Sequence, residues 1–275
     1  MAEEVYRFSR HNGSRTIVDI SGVKIGGKEI IIAAGPCSVE NEKQYMETVD
    51  NVVRSGAGII RGGAFKPRTS PYSFQGLGKE GIDIMKKASK RLGVPMVTEL
   101  MDTDLVDLYS KEVDLIQVGA RNSQNFDMLK RLGKQKRPVL LKNGIGTNVQ
   151  EWLMSSEYIL SGGNDNVILC YRGARSIEGA TRFSMDIGAI AVARKLSRLP
   201  ICVDPSHAAG KREFVEPMAL AAIAAGADML EIEVHNDPDN ALSDKEQQLT
   251  LEQFGEFMDK AKRIAVSVGR VVKSV

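Results

Sequence analysis

Cys37, His207 and Glu233, with the acids of the following loop, Asp237, Asp239 and Asp244, mix a soft thiol, an imidazole and hard carboxylates. A divalent transition metal accepts such a set, and manganese, iron, cobalt and zinc all fit it; taken singly, Cys37 reads equally as a buried structural thiol and His207 as a core or capping histidine, and together at one rim they favour metal. His235, two residues past Glu233, shares its strand face if the strand runs on and is an alternative ligand. His11 lies in a polar N-terminal segment and takes no role. A second group is cationic: Arg61, Lys66, Arg68, Arg121, Lys142 and Arg172. So many like charges share one cavity only around an anion. Arginine's planar fork suits phosphate and carboxylate, which implies a small substrate with more than one anionic group. Lys142, its pKa lowered by the neighbouring arginines, is also able to protonate or position a reacting group.

The two groups meet only if the fold gathers them. Eight short apolar runs, Ile30–Ala34, Gly58–Ile60, Val94–Thr98, Leu115–Val118, Pro138–Leu141, Val167–Tyr171, Pro200–Val203 and Met229–Ile232, each precede a helix-compatible stretch. The helical stretches are Asn41–Ser55, Lys79–Leu92, Thr103–Lys111, Phe126–Gly133, Thr147–Leu160, Arg182–Leu196, Val215–Ala225 and Leu251–Val266. This alternation predicts an α/β fold, a (β/α)8 TIM barrel, whose C-terminal strand ends carry the chemistry. Nearly every metal-binding or cationic residue named above stands at or just past such an end. Gly56, Gly93, Gly133, Gly162 and Gly226 follow helices as left-handed terminators. Residues 1–28 are read as an N-terminal extension, a small hairpin across Ser21-Gly22 that closes the barrel's N-terminal end or meets another subunit; residues 29–275 form the single catalytic barrel. The extension is too short for an independent regulatory domain.

With 275 residues, the chain matches the roughly 250 typical of one such barrel. Its hydrophobic content of 43% and charged content of 26% are those of a soluble globule. A net charge of +2 without a dense basic tract argues against nucleic acid and membrane surfaces as partners. The N-terminus does not resemble a signal peptide, so a cytoplasmic location is expected. Cys170 and Cys202 lie inside apolar runs and read as small buried hydrophobes rather than disulfide partners. Glu231 has the strand parity of Glu233 and points inward where an apolar residue is expected, so a cationic partner or a raised pKa is predicted for it.

Ala-Gly-Pro-Cys-Ser at 34–38, Lys-Pro-Arg-Thr-Ser at 66–70, Gly-Ala-Arg at 119–121, Leu-Lys-Asn-Gly at 141–144, Asp-Pro-Ser-His at 204–207 and Glu-Val-His at 233–235 closely resemble 3-deoxy-D-arabino-heptulosonate 7-phosphate (DAHP) synthase. The resemblance covers essentially the whole chain and is to the compact microbial type, similar to 3-deoxy-D-manno-octulosonate 8-phosphate (KDO8P) synthase. It implies a metal-dependent transferase that condenses phosphoenolpyruvate (PEP) with erythrose 4-phosphate, the first step of the shikimate pathway to the aromatic amino acids. The metal ligands it implies are Cys37, His207, Glu233 and Asp244, with manganese the first expectation. It puts PEP on Arg61, Arg121, Lys142 and Arg172, and erythrose 4-phosphate on Lys66, Pro67, Arg68 and Thr69. A homo-oligomer, tetramer or dimer, is also implied. Pro67-Arg68 favours the four-carbon sugar over the arabinose 5-phosphate of KDO8P synthase. Asn236 departs from the family pattern, standing where a proline is expected, and this predicts a looser loop before Asp244.

Overall fold

A computed structural model describes residues 6–66, 70, 72–177 and 179–273. Pro67, Arg68 and Thr69 lie outside the described residues. A hairpin of β1 (Val18–Ile20) and β2 (Val23–Ile25) precedes eight parallel strands: β3 (Glu29–Gly35), β4 (Ile59–Arg61), β5 (Met96–Glu99), β6 (Leu115–Val118), β7 (Val139–Lys142), β8 (Val167–Tyr171), β9 (Ile201–Val203) and β10 (Met229–Glu233). Each pairs with the next, and β10 returns to β3 through Met229 opposite Ile31 and Glu233 opposite Gly35, closing a (β/α)8 barrel. A short β11 (Val271–Val272) adds to β3 at the N-terminal end. The helices between are α1 (Glu42–Arg54), α2 (Lys79–Leu92), α3 (Val106–Glu112), α4 (Phe126–Gly133), α5 (Val149–Leu160), α6 (Ile187–Leu196), α7 (Pro205–Ala209), α8 (Arg212–Ala224) and α9 (Leu251–Ser267).

Strand parity splits the side chains into two layers. Outward residues such as Ile32, Ile60, Ile116, Leu141, Leu169 and Ile232 pack under the helices. Inward residues are apolar near the N-terminal end, where Ile31, Ile59, Val97, Leu115, Leu140, Ile168 and Met229 meet Val18, Ile20, Val23 and Ile25 of the hairpin. The hairpin thus plugs the barrel's floor, the first of the two expected roles. Ser21 and Gly22 both have positive φ, 49° and 93°, as a two-residue turn with the twist of a hairpin requires. Two residues farther along, the inward positions turn polar at Arg61, Glu99, Gln117, Lys142 and Glu231, while β3 and β8 still carry Ala33 and Cys170, and there the site begins.

Two expectations are corrected. The stretch from Arg182 does not start a helix: Arg182 and Phe183 donate their N–H groups to Ala209 and Ala208, Ser184 donates to Ala174, and α6 starts only where Asp186 caps it by accepting from Gly188 N. Of the five glycines read as terminators, Gly56, Gly93 and Gly226 have positive φ, but Gly133 and Gly162 do not. Those two let α4 and the end of α5 touch, since a Cβ on Gly133 would lie 2.7 Å from Ile159 O and one on Gly162 would lie 2.7 Å from the Gly133 backbone. Gly133→Ala is therefore expected to cost about 1–3 kcal/mol through backbone displacement, read as a lower Tm in thermal denaturation. An unchanged Tm would show that the contact yields freely.

Candidate functional site

At the C-terminal mouth, a cavity is bordered by Lys66, Arg121, Lys142, Arg172 and Arg182, with Glu99, Gln117, His207 and Asp244 also on its wall. Arg172 is buried just past the end of β8; its guanidinium lies 3.9 Å from the centroid of the Phe183 ring, and its Nη1 has no hydrogen-bond partner among the described residues. Burial, with Arg182 and Arg121 nearby, lowers its pKa to about 10 despite Asp204. A buried guanidinium nitrogen without an acceptor, among other cations, is what an anion site looks like before the anion arrives.

Lys142 ends β7 and is pinned from two sides, by Asp204 and by Glu231, whose Oε2 is 2.8 Å from Nζ. Burial lowers the pKa of this lysine, but Asp204 and then Glu231 outweigh it and hold the value well above the ordinary one. This corrects the expectation of a lowered pKa: the arginines nearby are outweighed by carboxylates in direct contact. Glu231 has the cationic partners expected of it, since its Oε1 also lies 3.2 Å from Arg61 Nε. Arg61 Nη1 reaches Glu233 at 3.0 Å and the Pro36 carbonyl at 2.9 Å. Arg61 therefore faces two carboxylates, while Arg121, Lys142 and Arg172 border the cavity.

Cys37, Glu233 and Asp244 present ligand atoms that all lie within 4.8 Å of one another. His207 stands beside this group, with Nε2 at 3.7 Å from Glu233 Oε1 and 3.8 Å from Asp244 Oδ2. Burial and then Glu233 push the Cys37 thiol up to about 12, while Lys66, with Nζ 3.0 Å from Sγ, pulls the other way. A thiol and two carboxylates in so small a space are the donor chemistry of a divalent cation, so these four residues fit one.

Local structure explains each position. Asp204 caps α7, accepting from His207 N at 3.0 Å, and its Oδ2 lies 2.7 Å from His207 Nδ1, which leaves Nε2 turned to the cluster. Burial raises the pKa of Asp204, but His207 and Lys142 hold it well below the ordinary value. Glu233 Oε2 accepts from Gln247 Nε2. Asp244 sits at φ 43°, a left-handed position for a residue with a side chain, in a loop tied down by Ser243 on Ser38 and by Leu242 N on Glu40. Asn236 does not cut the preceding segment loose: its Nδ2 donates to Glu47 on α1 at 3.1 Å. His235 has turned away to accept from Asp237 N and lies 3.4 Å from Glu40, so it is not among the clustered ligand atoms.

With this geometry in hand, comparison with known proteins decides the family. A family model described as "DAHP synthetase I family" matches residues 14–268. The chain belongs to that family. A "Phospho-2-dehydro-3-deoxyheptonate aldolase" of Thermotoga maritima is 46% identical over 254 residues, 92% of this chain and 75% of the relative. A "2-dehydro-3-deoxyphosphooctonate aldolase" of Geobacter sulfurreducens is 31% identical over 90% of this chain and 97% of its own. A crystal structure of the Thermotoga maritima DAHP synthase superposes with a TM-score of 0.95 at 44% identity, covering 98% of this chain and 79% of that one. This member of the DAHP synthetase I family is thus an enzyme of the DAHP synthase kind, with KDO8P synthases as its more distant relatives.

Sequence reasoning passed over several residues at this family site. Arg182 and Phe183 were hidden inside the misread helix start, although the Asp186-Ile187-Gly188 cap was the signal that could have freed them. Glu99 and Gln117 carry only strand parity as a signal. Asp204 stood in a recognised motif, but its capping role gives no hint of the contact to Lys142. Among the described residues, no helix is long and apolar enough to cross a membrane.

Proposed function

We propose that the protein joins C3 of PEP to the aldehyde carbon of erythrose 4-phosphate, with water adding at C2 and inorganic phosphate leaving, to give DAHP. The observation carrying this is the cavity where Arg172, whose Nη1 has no partner among the described residues, and the Lys142 ammonium border the His207 and Asp244 side of the cation-fitting cluster. Arg61, Arg121, Lys142 and Arg172 hold the carboxylate and phosphate of PEP, Arg61 being paired as well with Glu231 and Glu233. Lys66, Pro67, Arg68 and Thr69 hold the sugar phosphate, with Arg68 and Thr69 on its phosphate group.

Cys37, His207, Glu233 and Asp244 hold a divalent cation, manganese first among iron, cobalt and zinc. When bound, it supplies Lewis acidity toward the aldehyde oxygen or a reacting water. The cations fix both substrates and stabilise charge on the departing phosphate, and Lys142, protonated, is a donor at the reacting centre rather than a base. The protein works on small molecules as a homo-oligomer, tetramer or dimer, in the cytoplasm.

Phosphate release tests the reading, with PEP plus erythrose 4-phosphate in one arm and PEP plus arabinose 5-phosphate in the other, each with Mn²⁺ and with chelator. Turnover is expected only with the four-carbon sugar and only with metal. Turnover confined to arabinose 5-phosphate would make the enzyme a KDO8P synthase, and turnover that ignores chelator would remove the metal. Arg68→Ala is expected to raise the KM for erythrose 4-phosphate by about 100-fold, the loss of a bidentate charged contact, with little change in that for PEP. Equal changes in both would move Arg68 out of the acceptor site.

A further inference from the structure

Glu231 is a buried carboxylate for which the reaction above has no step. It is 1% exposed, faces inward one layer below Glu233, and stands where the barrel would ordinarily place an apolar residue. A lone carboxylate there would be costly, yet this one bridges two cations from different strands, with Oε1 at 3.2 Å from Arg61 Nε and Oε2 at 2.8 Å from Lys142 Nζ. Through these contacts it closes a ring. Arg61 passes to Glu233, Glu233 to His207, His207 to Asp204, Asp204 to Lys142, and Lys142 back to Glu231.

A lysine ammonium has three N–H donors. Asp204 on the β9 side accepts one of them, and Glu231 on β10 pairs with the charge at 2.8 Å from a second direction, so Nζ is held between two carboxylates at the wall of the cavity that Lys142 borders. Without Glu231 the ammonium would be held from one side only, and Nζ could shift toward Asp204 and away from the cavity. Glu231 also adds a negative charge directly behind the substrate's anion site, where it opposes every anion that Lys142 and Arg61 attract.

We propose that Glu231 is a positioning residue of this enzyme, aiming the Lys142 ammonium at the substrate while lowering the affinity of the site for phosphate-bearing ligands. Geometry and charge are its two separate contributions, and two substitutions part them. Glu231→Gln keeps the shape and removes the charge; Glu231→Asp keeps the charge but withdraws it by one methylene from the two cations.

The inference rests on reading the cavity as the PEP site. The test measures inorganic phosphate binding by calorimetry on Mn²⁺-treated protein, alongside kcat and KM for PEP. For Glu231→Gln, phosphate is expected to bind about tenfold tighter, a fraction of what one full charge at this distance can supply. The KM for PEP should fall with it, and kcat should fall about 10- to 100-fold, as when an outer-shell partner is lost. Glu231→Asp should bind phosphate within about twofold of wild type and still lose kcat, since the charge remains and the aim does not. A merely structural glutamate would lower Tm and leave the split between KM and kcat untouched.

Phosphate affinity unchanged or weaker in a folded Glu231→Gln would overturn the proposal, as would unimpaired kcat in either variant. If Glu231→Gln fails to fold, Glu231→Asp decides through its kcat. Wild-type protein that neither binds phosphate nor turns PEP over would sink the reading of the cavity instead, whereas a normal wild type with variants matching it sinks the role of Glu231 alone.

Discussion

Replacing Cys37 with serine is expected to lower Mn²⁺ affinity by at least about 100-fold and to take turnover down with it, because loss of a ligand should exceed the 10- to 100-fold typical of outer-shell losses. The thiol has no alternative task in the geometry. It is buried just past the end of β3, where it donates to Asp244 Oδ2 at 3.4 Å and accepts from Lys66 Nζ at 3.0 Å. Because burial and Glu233 push this thiol up to about 12, it is protonated at neutral pH unless a cation takes it, and binding must release its proton. Metal affinity should therefore rise with pH in the wild type and do so less steeply in Cys37→Ser. Serine is close to isosteric and can still accept from Lys66, so the metal-free variant should melt near the metal-free wild type. Calorimetric titration with Mn²⁺ at several pH values, the phosphate-release assay and thermal denaturation of the metal-free proteins check these points. A serine variant that is active and metal-replete would make Cys37 a packing residue and return the site to His207, Glu233 and Asp244.

What the chain disclosed in advance divides along the range of the interaction involved. Strands were legible because their runs are short, apolar and bounded; β6 and β8 coincide with the apolar runs Leu115–Val118 and Val167–Tyr171. Inward facing was legible from parity, which is how Glu231 stood out. Partners across the barrel were not. Arg61 looked like a substrate cation because the sequence shows a basic residue at a strand end, whereas Glu231 and Glu233 meet it through the β10 to β3 closure, far away along the chain. The sign of the Lys142 shift failed for the same reason: arginines were visible as neighbours by type, but the lysine's own contacts are Asp204 and Glu231. Gly133 and Gly162 failed more locally, for a glycine after a helix serves a left-handed turn or a close approach equally well, and only the packing of α4 on α5 separates the two.

Lys142→Gln is expected to cost both activity and stability, and the pH at which each is lost identifies the cause. Turnover should drop about 10²- to 10³-fold, the size of losing one preorganised charged donor at a reacting centre. Stability should fall by about 3–5 kcal/mol, because Asp204 and Glu231 would be left buried without the cation between them. The pKa of Lys142 is raised on folding, so its contribution is fully present below the unfolded value of about 10.4 and is lost as pH rises through the higher folded value. Wild-type stability should thus fall in that alkaline window, and the glutamine variant should lose this part of the slope. At the acid end the sign reverses. Asp204 is depressed in the fold, so its contribution is present above about pH 3.9 and is lost as pH falls through its folded value; without Lys142 that value rises, and acid unfolding should move to higher pH. Denaturant midpoints measured across pH for both proteins would show the two displacements. The same ammonium disfavours the rival chemistry of a lysine Schiff base, which needs a neutral amine at position 142. Borohydride treatment with PEP and sugar phosphate should leave the mass of the wild-type chain unchanged; a trapped adduct on Lys142 would mean that Asp204 and Glu231 do not keep that nitrogen charged during turnover.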